Sequence, residues 1–253
     1  MICPNYEGVT LHRDTAEKPH SDNMSADNHF RIRTYGRRIG KRLRSRQQEL
    51  LDKVLPSFTI DLDVVAKDPV SLFPQPVKKL WLEIGFGGGE HLLELARRKP
   101  EIGFFGCEPF VNGIVNLVSG IVENGLQNVL IHPGDALDLI EKLPDSSIER
   151  IYLLYPDPWP KARQQKRRFI SSKNLTAMAR IISSSGELRF ASDIEEYCNW
   201  TRELVRSTDE FHDDNRSLNE TFLPWESWTV TRYEAKAIRE GRSTSYLKFV
   251  RSW

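Results

Sequence analysis

The stretch LWLEIGFGGGE at residues 80–90 constrains the chain most: an apolar strand breaks into glycines and then opens a helix. Bulky residues alternate up to Ile84, as in a buried strand, and the glycines allow positive φ and close backbone approach to a ligand. A helix over 90–98 is expected to start directly above that loop. Strand, glycine turn and helix make the first unit of a nucleotide-type α/β fold, in which ligands lie beyond the carboxyl ends of the strands.

The ligand is constrained by charge. A dinucleotide site calls for G-x-G-x-x-G with a helix N-terminus facing a pyrophosphate. Here the glycines are Gly85, Gly87, Gly88 and Gly89, and the sixth position is Glu90. That carboxylate, with Glu83 just before the turn, repels phosphates. The loop suits a ligand carrying adenosine and a positive charge, such as the sulfonium of S-adenosylmethionine. Taken alone, a glycine-rich turn also fits a plain tight turn.

At 253 residues the chain is long enough for one α/β domain with an N-terminal arm. It holds no apolar run of membrane-spanning length and no hydrophobic leader, so a soluble, cytoplasmic protein is expected. The three cysteines, Cys3, Cys107 and Cys198, are isolated and odd in number, which fits reduced thiols. The six histidines show no ligand spacing, and no metal site is proposed. The formal net charge of +1 hides a segregated distribution. No acid occurs over 28–48, where Arg31, Arg33, Arg37, Arg38, Lys41, Arg42, Arg44 and Arg46 lie, and none over 161–168, where Lys161, Arg163, Lys166, Arg167 and Arg168 lie. Two basic blocks on a balanced chain point to a polyanion.

Along the chain, residues 1–28 read as a disordered extension, with Met24 as an alternative start, and 29–55 as a basic arm. The arm fits either a solvated tail or a segment that captures nucleic acid through phosphates. Residues 47–55 suit a short helix, and the prolines from Pro56 to Pro76 an extended linker. Residues 56–253 are expected to form a single domain. Strand two over 102–107 ends at Glu108, 25 residues after Glu83, near the spacing at which an acid accepts from a ribose hydroxyl. A helix over 110–124 ends at Gly125, strand three covers 128–132, and Asp135 either caps the helix 136–142 or accepts from an adenine amino group. Strand four, 148–155, delivers the chain into Pro156-Asp157-Pro158-Trp159-Pro160-Lys161. Prolines in alternate positions fix φ and remove donors, so this stiff turn presents Asp157, Trp159 and Lys161: a carboxylate, an aromatic face for a base and a cation for a phosphate. A helix over 169–182, strand five over 187–192 ending in Asp193, a helix over 194–207 and strand six over 211–216 follow. Thr231 and Glu234 have capping-box spacing before a helix to about residue 240, and 243–251 is the last strand.

Leu82-Glu83-Ile84-Gly85-Phe86-Gly87-Gly88-Gly89, Glu108-Pro109, Gly134-Asp135-Ala136, Tyr155-Pro156-Asp157-Pro158-Trp159-Pro160-Lys161, Lys166-Arg167-Arg168 and Thr231-Arg232-Tyr233-Glu234 together resemble the bacterial tRNA (guanine-N7-)-methyltransferase family. The resemblance covers about Arg31 to the C-terminus. It implies a Rossmann-like class I methyltransferase whose mostly parallel seven-stranded sheet ends in an antiparallel strand, with helices on both faces. It implies methyl transfer from S-adenosylmethionine to N7 of a guanine in the tRNA variable loop, guanine-46. Cofactor contacts are implied at Glu83, Gly85, Gly87, Glu108, Asp135 and Asp157, with Asp157 as the active-site acid. Substrate contacts are implied at Lys161, Asp193, Thr231, Arg232, Tyr233 and Glu234. From the chemistry of guanine, Asp193 or Glu234 is expected to accept from its N1 and N2 hydrogens and so to reject adenine. RNA contacts are implied at Arg163, Lys166, Arg167 and Arg168. Pro160 departs from the family's frequent histidine. No membrane, metal or obligate protein partner is expected. The same residues leave open a same-fold enzyme acting on another base, or an inactive nucleic-acid-binding module.

Overall fold

A computed structural model describes residues 38–215, 217 and 220–252. Seven strands form one sheet in the order β3-β2-β1-β4-β5-β7-β6: β1 (Lys79–Ile84), β2 (Ile102–Cys107), β3 (Val129–His132), β4 (Ile148–Leu154), β5 (Ile182–Ser192), β6 (Phe211–Asp213) and β7 (Ser245–Arg251). The first five run parallel, and β7 lies antiparallel between β5 and β6. The order reverses between β1 and β4, so the carboxyl ends of β2, β1 and β4 flank a crevice, the usual ligand position in open α/β sheets.

Period-two alternation along β1 decides which side chain faces which layer. Leu80, Leu82 and Ile84 join a core with α5 (Ala136–Lys142), α6 (Ser172–Ile181) and α7 (Glu195–Arg206). Trp81 joins a second core on the other face with α3 (Glu90–Arg98) and α4 (Val111–Asn124). The sequence-derived bounds of α3, β2 and α5 coincide with the observed ones. Gly125 closes α4 in the left-handed region at φ 62°.

Between Pro56 and Pro76 the expected extended linker is absent; the segment is folded into short turns. It contains 3-10 turns at Leu55–Phe58 and Pro69–Leu72 and, between them, α2 (Leu62–Val65). Prolines at the first helical positions lose no hydrogen bond, and the Asp61 carboxylate caps α2 by accepting from the Asp63 and Val64 amides. The Ile60 amide donates to the Ile131 carbonyl at 2.9 Å, covering the β3 edge. The short helix expected nearby forms as α1 (Ser45–Glu49), running on into a π-helical turn. β5 begins at Ile182, straight out of α6, and shifts register against β4 between Ile148 and Arg150. The final helix is α8 (Arg232–Arg239). Arg31, Arg33 and Arg37 of the basic arm lie outside the described residues, as does the whole extension over 1–28.

Candidate active site

A cavity of about 380 Å³ lies at the carboxyl ends of β1, β2, β3 and β4, within the usual size range of small-ligand pockets. Gly85, Gly87, Glu108, Asp135, Tyr155, Asp157, Trp159, Arg167 and Tyr233 all line it. Glu108 is buried and holds the glycine turn: its Oε2 accepts from the Gly87 amide at 2.8 Å and its Oε1 from the Phe110 amide at 3.0 Å. Lost hydration raises its carboxyl above the usual value, and these two amides counteract the shift only in part. Asp157 raises it further through space and Arg232 lowers it, as one shared site requires.

Backbone proximity explains the glycines. Gly87 sits at φ 57°, and a Cβ there would stand 3.2 Å from Tyr233 Cε2. A Cβ on Gly113, in the first turn of α4, would reach 2.0 Å from the Gly87 carbonyl oxygen, so that helix seats on the turn only without a side chain. Asp135 does cap α5, accepting from the Leu137 amide at 3.0 Å, while also lining the cavity. Asp157 keeps much of its surface exposed, yet lost hydration raises its carboxyl above the ordinary aspartate value. Tyr155 and Trp159, on either side of it, have positive φ of 50° and 42°. Strained non-glycine conformations of this kind persist where the surroundings over-determine them. The Arg167 guanidinium lies 5.0 Å from the Trp159 ring centroid.

Several residues expected at the ligand are engaged elsewhere, and each has a physical cause. Alternation along β1 points Glu83 at α3, where its Oε2 meets His91 Nδ1 at 2.7 Å with both residues 2 % exposed; it does not line the cavity. Glu234 is buried, accepting from Trp228 Nε1 at 2.7 Å and from the Tyr246 hydroxyl. Thr231 supplies one half of the expected capping box, its Oγ1 accepting from the Glu234 amide at 3.2 Å. Asp193 pairs with Arg242 Nε at 2.7 Å. Arg168, expected on RNA, is 1 % exposed and sealed inside the protein. Lys161, Arg163 and Lys166 are exposed, in the segment between the lining residues Trp159 and Arg167, and Arg232 lies 3.6 Å from Glu90.

A family model described as "Putative methyltransferase" matches residues 77–247. The tRNA (guanine-N(7)-)-methyltransferase of Chelativorans sp. (strain BNC1) is 50 % identical over 218 residues, covering 86 % of this chain and 94 % of that protein. The chain belongs to the tRNA (guanine-N(7)-)-methyltransferase family. The relative of the same name from Rhizobium johnstonii is 49 % identical over 220 residues, covering 85 % and 93 % of the two chains. That from Rhodopseudomonas palustris (strain BisB5) is 43 % identical over 229 residues, covering 90 % of each. A solved structure described as an antibiotic-related methyltransferase superposes with a TM-score of 0.51 at 15 % identity, covering 79 % of this chain and 98 % of that one, a likeness of fold.

For this member of the tRNA (guanine-N(7)-)-methyltransferase family, the cavity adds residues that sequence reading passes over. Tyr155, Phe110 and Asn174 line it. Tyr155 reads as the last residue of strand four; its departure into positive φ gives no local signal, because nothing but tertiary packing selects that conformation for a tyrosine. Phe110 is legible only as the start of a helix, and Asn174 as an interior helix position.

Proposed function

We propose that this chain transfers the methyl group of S-adenosylmethionine to N7 of a guanine in the tRNA variable loop, position 46. The observation that carries the reading is one cavity joining the acid-lined glycine turn to Asp157 and Trp159 on the proline-stiffened turn. The residues present fit the methyl donor. Glu108 and Asp135 stand at the ends of β2 and β3 where a nucleoside's polar groups need acceptors, and Ile84, Ala136 and Leu153 supply apolar walls. Carboxylates here suit a cationic ligand and oppose a pyrophosphate.

Bound there, S-adenosylmethionine supplies an electrophilic methyl group on a sulfonium. Guanine N7 already carries a lone pair, so the chain needs no strong base before attack. Its contribution is alignment of N7 with the methyl group, with water kept from the apolar walls. As the methyl arrives, the purine becomes cationic, and the Asp157 carboxylate offsets that charge. Tyr155, Trp159 and Tyr233 offer aromatic faces to the extruded base, while Arg163, Lys166 and Arg167 meet phosphates. Asp193 and Glu234 act from behind, each tied to a protein partner, and hold Arg242 and the first turn of α8 in place.

The test is to incubate the full chain with unmodified tRNA and S-adenosylmethionine, digest the RNA and identify nucleosides by mass spectrometry. N7-methylguanosine from the variable loop is expected. Methylation of another base, or of guanine elsewhere in the tRNA, overturns the assignment.

A further inference from the structure

We propose that Arg168 is a positioning residue that braces the Asp157 turn, and that the second basic block is divided between an outer RNA face and this inner brace. The proposal rests on the role given to Asp157 above. Arg168 Nε donates to the Pro158 carbonyl at 2.8 Å. Its two terminal nitrogens grip the Glu196 carboxylate, Nη1 to Oε1 at 3.1 Å and Nη2 to Oε2. The guanidinium carbon lies 4.8 Å from the Tyr197 ring centroid and 5.0 Å from that of Trp200. The side chain is 0 % exposed, whereas Glu196 at the far end of the fork is 54 % exposed.

The turn needs bracing from outside. Pro156, Pro158 and Pro160 have no amide hydrogens, so the segment lacks the donors with which a turn usually holds itself. Trp159 adds a positive φ, which packing must enforce. Pro158 follows Asp157 directly, and its carbonyl is where Arg168 takes hold. The neighbouring 3-10 turn, Ala162–Arg167, carries the chain from exposed Arg163 and Lys166 to buried Arg168, whose amide donates to the Gln165 carbonyl at 2.9 Å. Glu196 belongs to the first turn of α7, so the brace anchors the turn after β4 to a helix that contributes nothing to the cavity wall.

Lysine separates the two roles, because it keeps the charge but cannot bridge a carbonyl and a carboxylate with a planar fork. The experiment compares Arg168→Lys, Arg168→Met, Glu196→Gln and, as a surface reference, Lys166→Ala. It measures single-turnover rate at saturating tRNA and S-adenosylmethionine, tRNA Kd as a function of salt, cofactor Kd and melting temperature. Both Arg168 variants are expected to lose rate by about 100-fold, the scale of a misplacement of about 1 Å. Their tRNA Kd and its salt slope stay at wild-type values, whereas Lys166→Ala lowers the slope by about 1. Glu196→Gln weakens the fork from its exposed end and loses rate by a smaller factor. A wild-type rate in Arg168→Lys, together with a flatter salt dependence in Arg168→Met, makes Arg168 a phosphate contact and overturns the proposal. If the Arg168 variants fail to fold, an unchanged rate in Glu196→Gln overturns it alone. A wild-type protein that leaves tRNA guanine unmethylated removes the reaction itself, and this is visible before any variant is compared.

Discussion

The rings of Tyr155 and Tyr233 face each other with centroids 6.4 Å apart and planes 19° from parallel. The pair joins the end of β4 to the first turn of α8 across the cavity. Tyr155 is fixed at three points: its amide donates to the Ala191 carbonyl at 2.7 Å, its hydroxyl bonds Thr244 Oγ1 at 3.1 Å, and its backbone has φ 50°. Tyr233 is 50 % exposed and rests over Gly87. Half-exposed Tyr233 thus offers an aromatic face at the cavity on which a planar base can stack. Tyr233→Ala is expected to lower kcat/KM for tRNA by about 10- to 100-fold, the scale of one base–aromatic stack. Tyr233→Phe keeps most activity, and cofactor affinity measured by calorimetry holds in both. An equal loss of cofactor affinity in the alanine variant makes Tyr233 a lid on the cofactor.

Asp157 carries a linked prediction of activity and stability. Its carboxyl titrates above the usual 3.8 because of lost hydration. Between the unfolded and the raised folded value the native state binds more protons, so stability falls as pH rises through that window. At neutral pH the ionised group therefore weakens the fold, and Asp157→Asn is expected to raise the melting temperature while abolishing most turnover and sparing cofactor binding. With the carboxylate in the role proposed for it, the wild-type single-turnover rate is expected to fall on acidification with a midpoint above 3.8. The asparagine variant lacks that limb. A melting temperature lowered by the substitution contradicts the sign.

Glu83 and His91 form a pair that the cavity does not use. Removing one member of this buried hydrogen-bonded pair leaves the other unsatisfied at a cost of about 1–3 kcal/mol, and His91→Ala also gives up its ring packing on Tyr152 at 4.8 Å and Trp228 at 5.0 Å. Urea unfolding is expected to show a loss of that size. Glu83→Gln retains shape without charge, and its folded form binds cofactor as the wild type does. A tenfold or greater drop in affinity there, about 1.4 kcal/mol, makes Glu83 a cofactor ligand after all.

The described end of the basic arm is anchored through its backbone. The Arg38 carbonyl accepts from the Val111 amide at 2.9 Å, the Gly40 amide donates to Asn112 Oδ1 at 2.8 Å, and Asn112 Nδ2 donates to the Lys41 carbonyl at 2.9 Å. Deleting the arm therefore also disturbs the start of α4, beside Phe110. Replacing exposed Arg42 and Arg46 by alanine removes charge and leaves these backbone anchors and the Arg44 cap of α1 in place. That double variant is expected to weaken tRNA binding and lower the salt slope by about 2, since each arginine neutralises one phosphate, with cofactor affinity unchanged. An unaltered slope takes these arginines out of the RNA interface.

Much of the frame is legible in one dimension because it rests on short-range rules. The run from β1 through α3 to β2 follows from alternation, glycine punctuation and helical periodicity, each acting within a few residues. The acids closing β2 and β3 announce two cavity carboxylates, Glu108 and Asp135, and the alternate prolines announce the stiff turn at Asp157. The segment between Pro56 and Pro76 departs from expectation because proline suits the first turn of a helix as well as an extended chain, and Asp61 as a cap for α2 tips that choice.

By itself, then, the sequence determined the succession of strands and helices from β1 on, the placing of a cavity at the sheet's carboxyl edge and the carboxylates that line it, since all three depend on residue type and spacing. The assignment of individual charged groups was left to the tertiary structure. Glu83, Asp193, Glu234 and Arg168 look as available as Glu108 or Lys166 along the chain, yet each is claimed by a partner distant in the chain or on the next element: His91, Arg242, Tyr246 and Glu196. A buried charge must find such a partner or lose its hydration uncompensated, and which groups are buried is settled only when the layers pack.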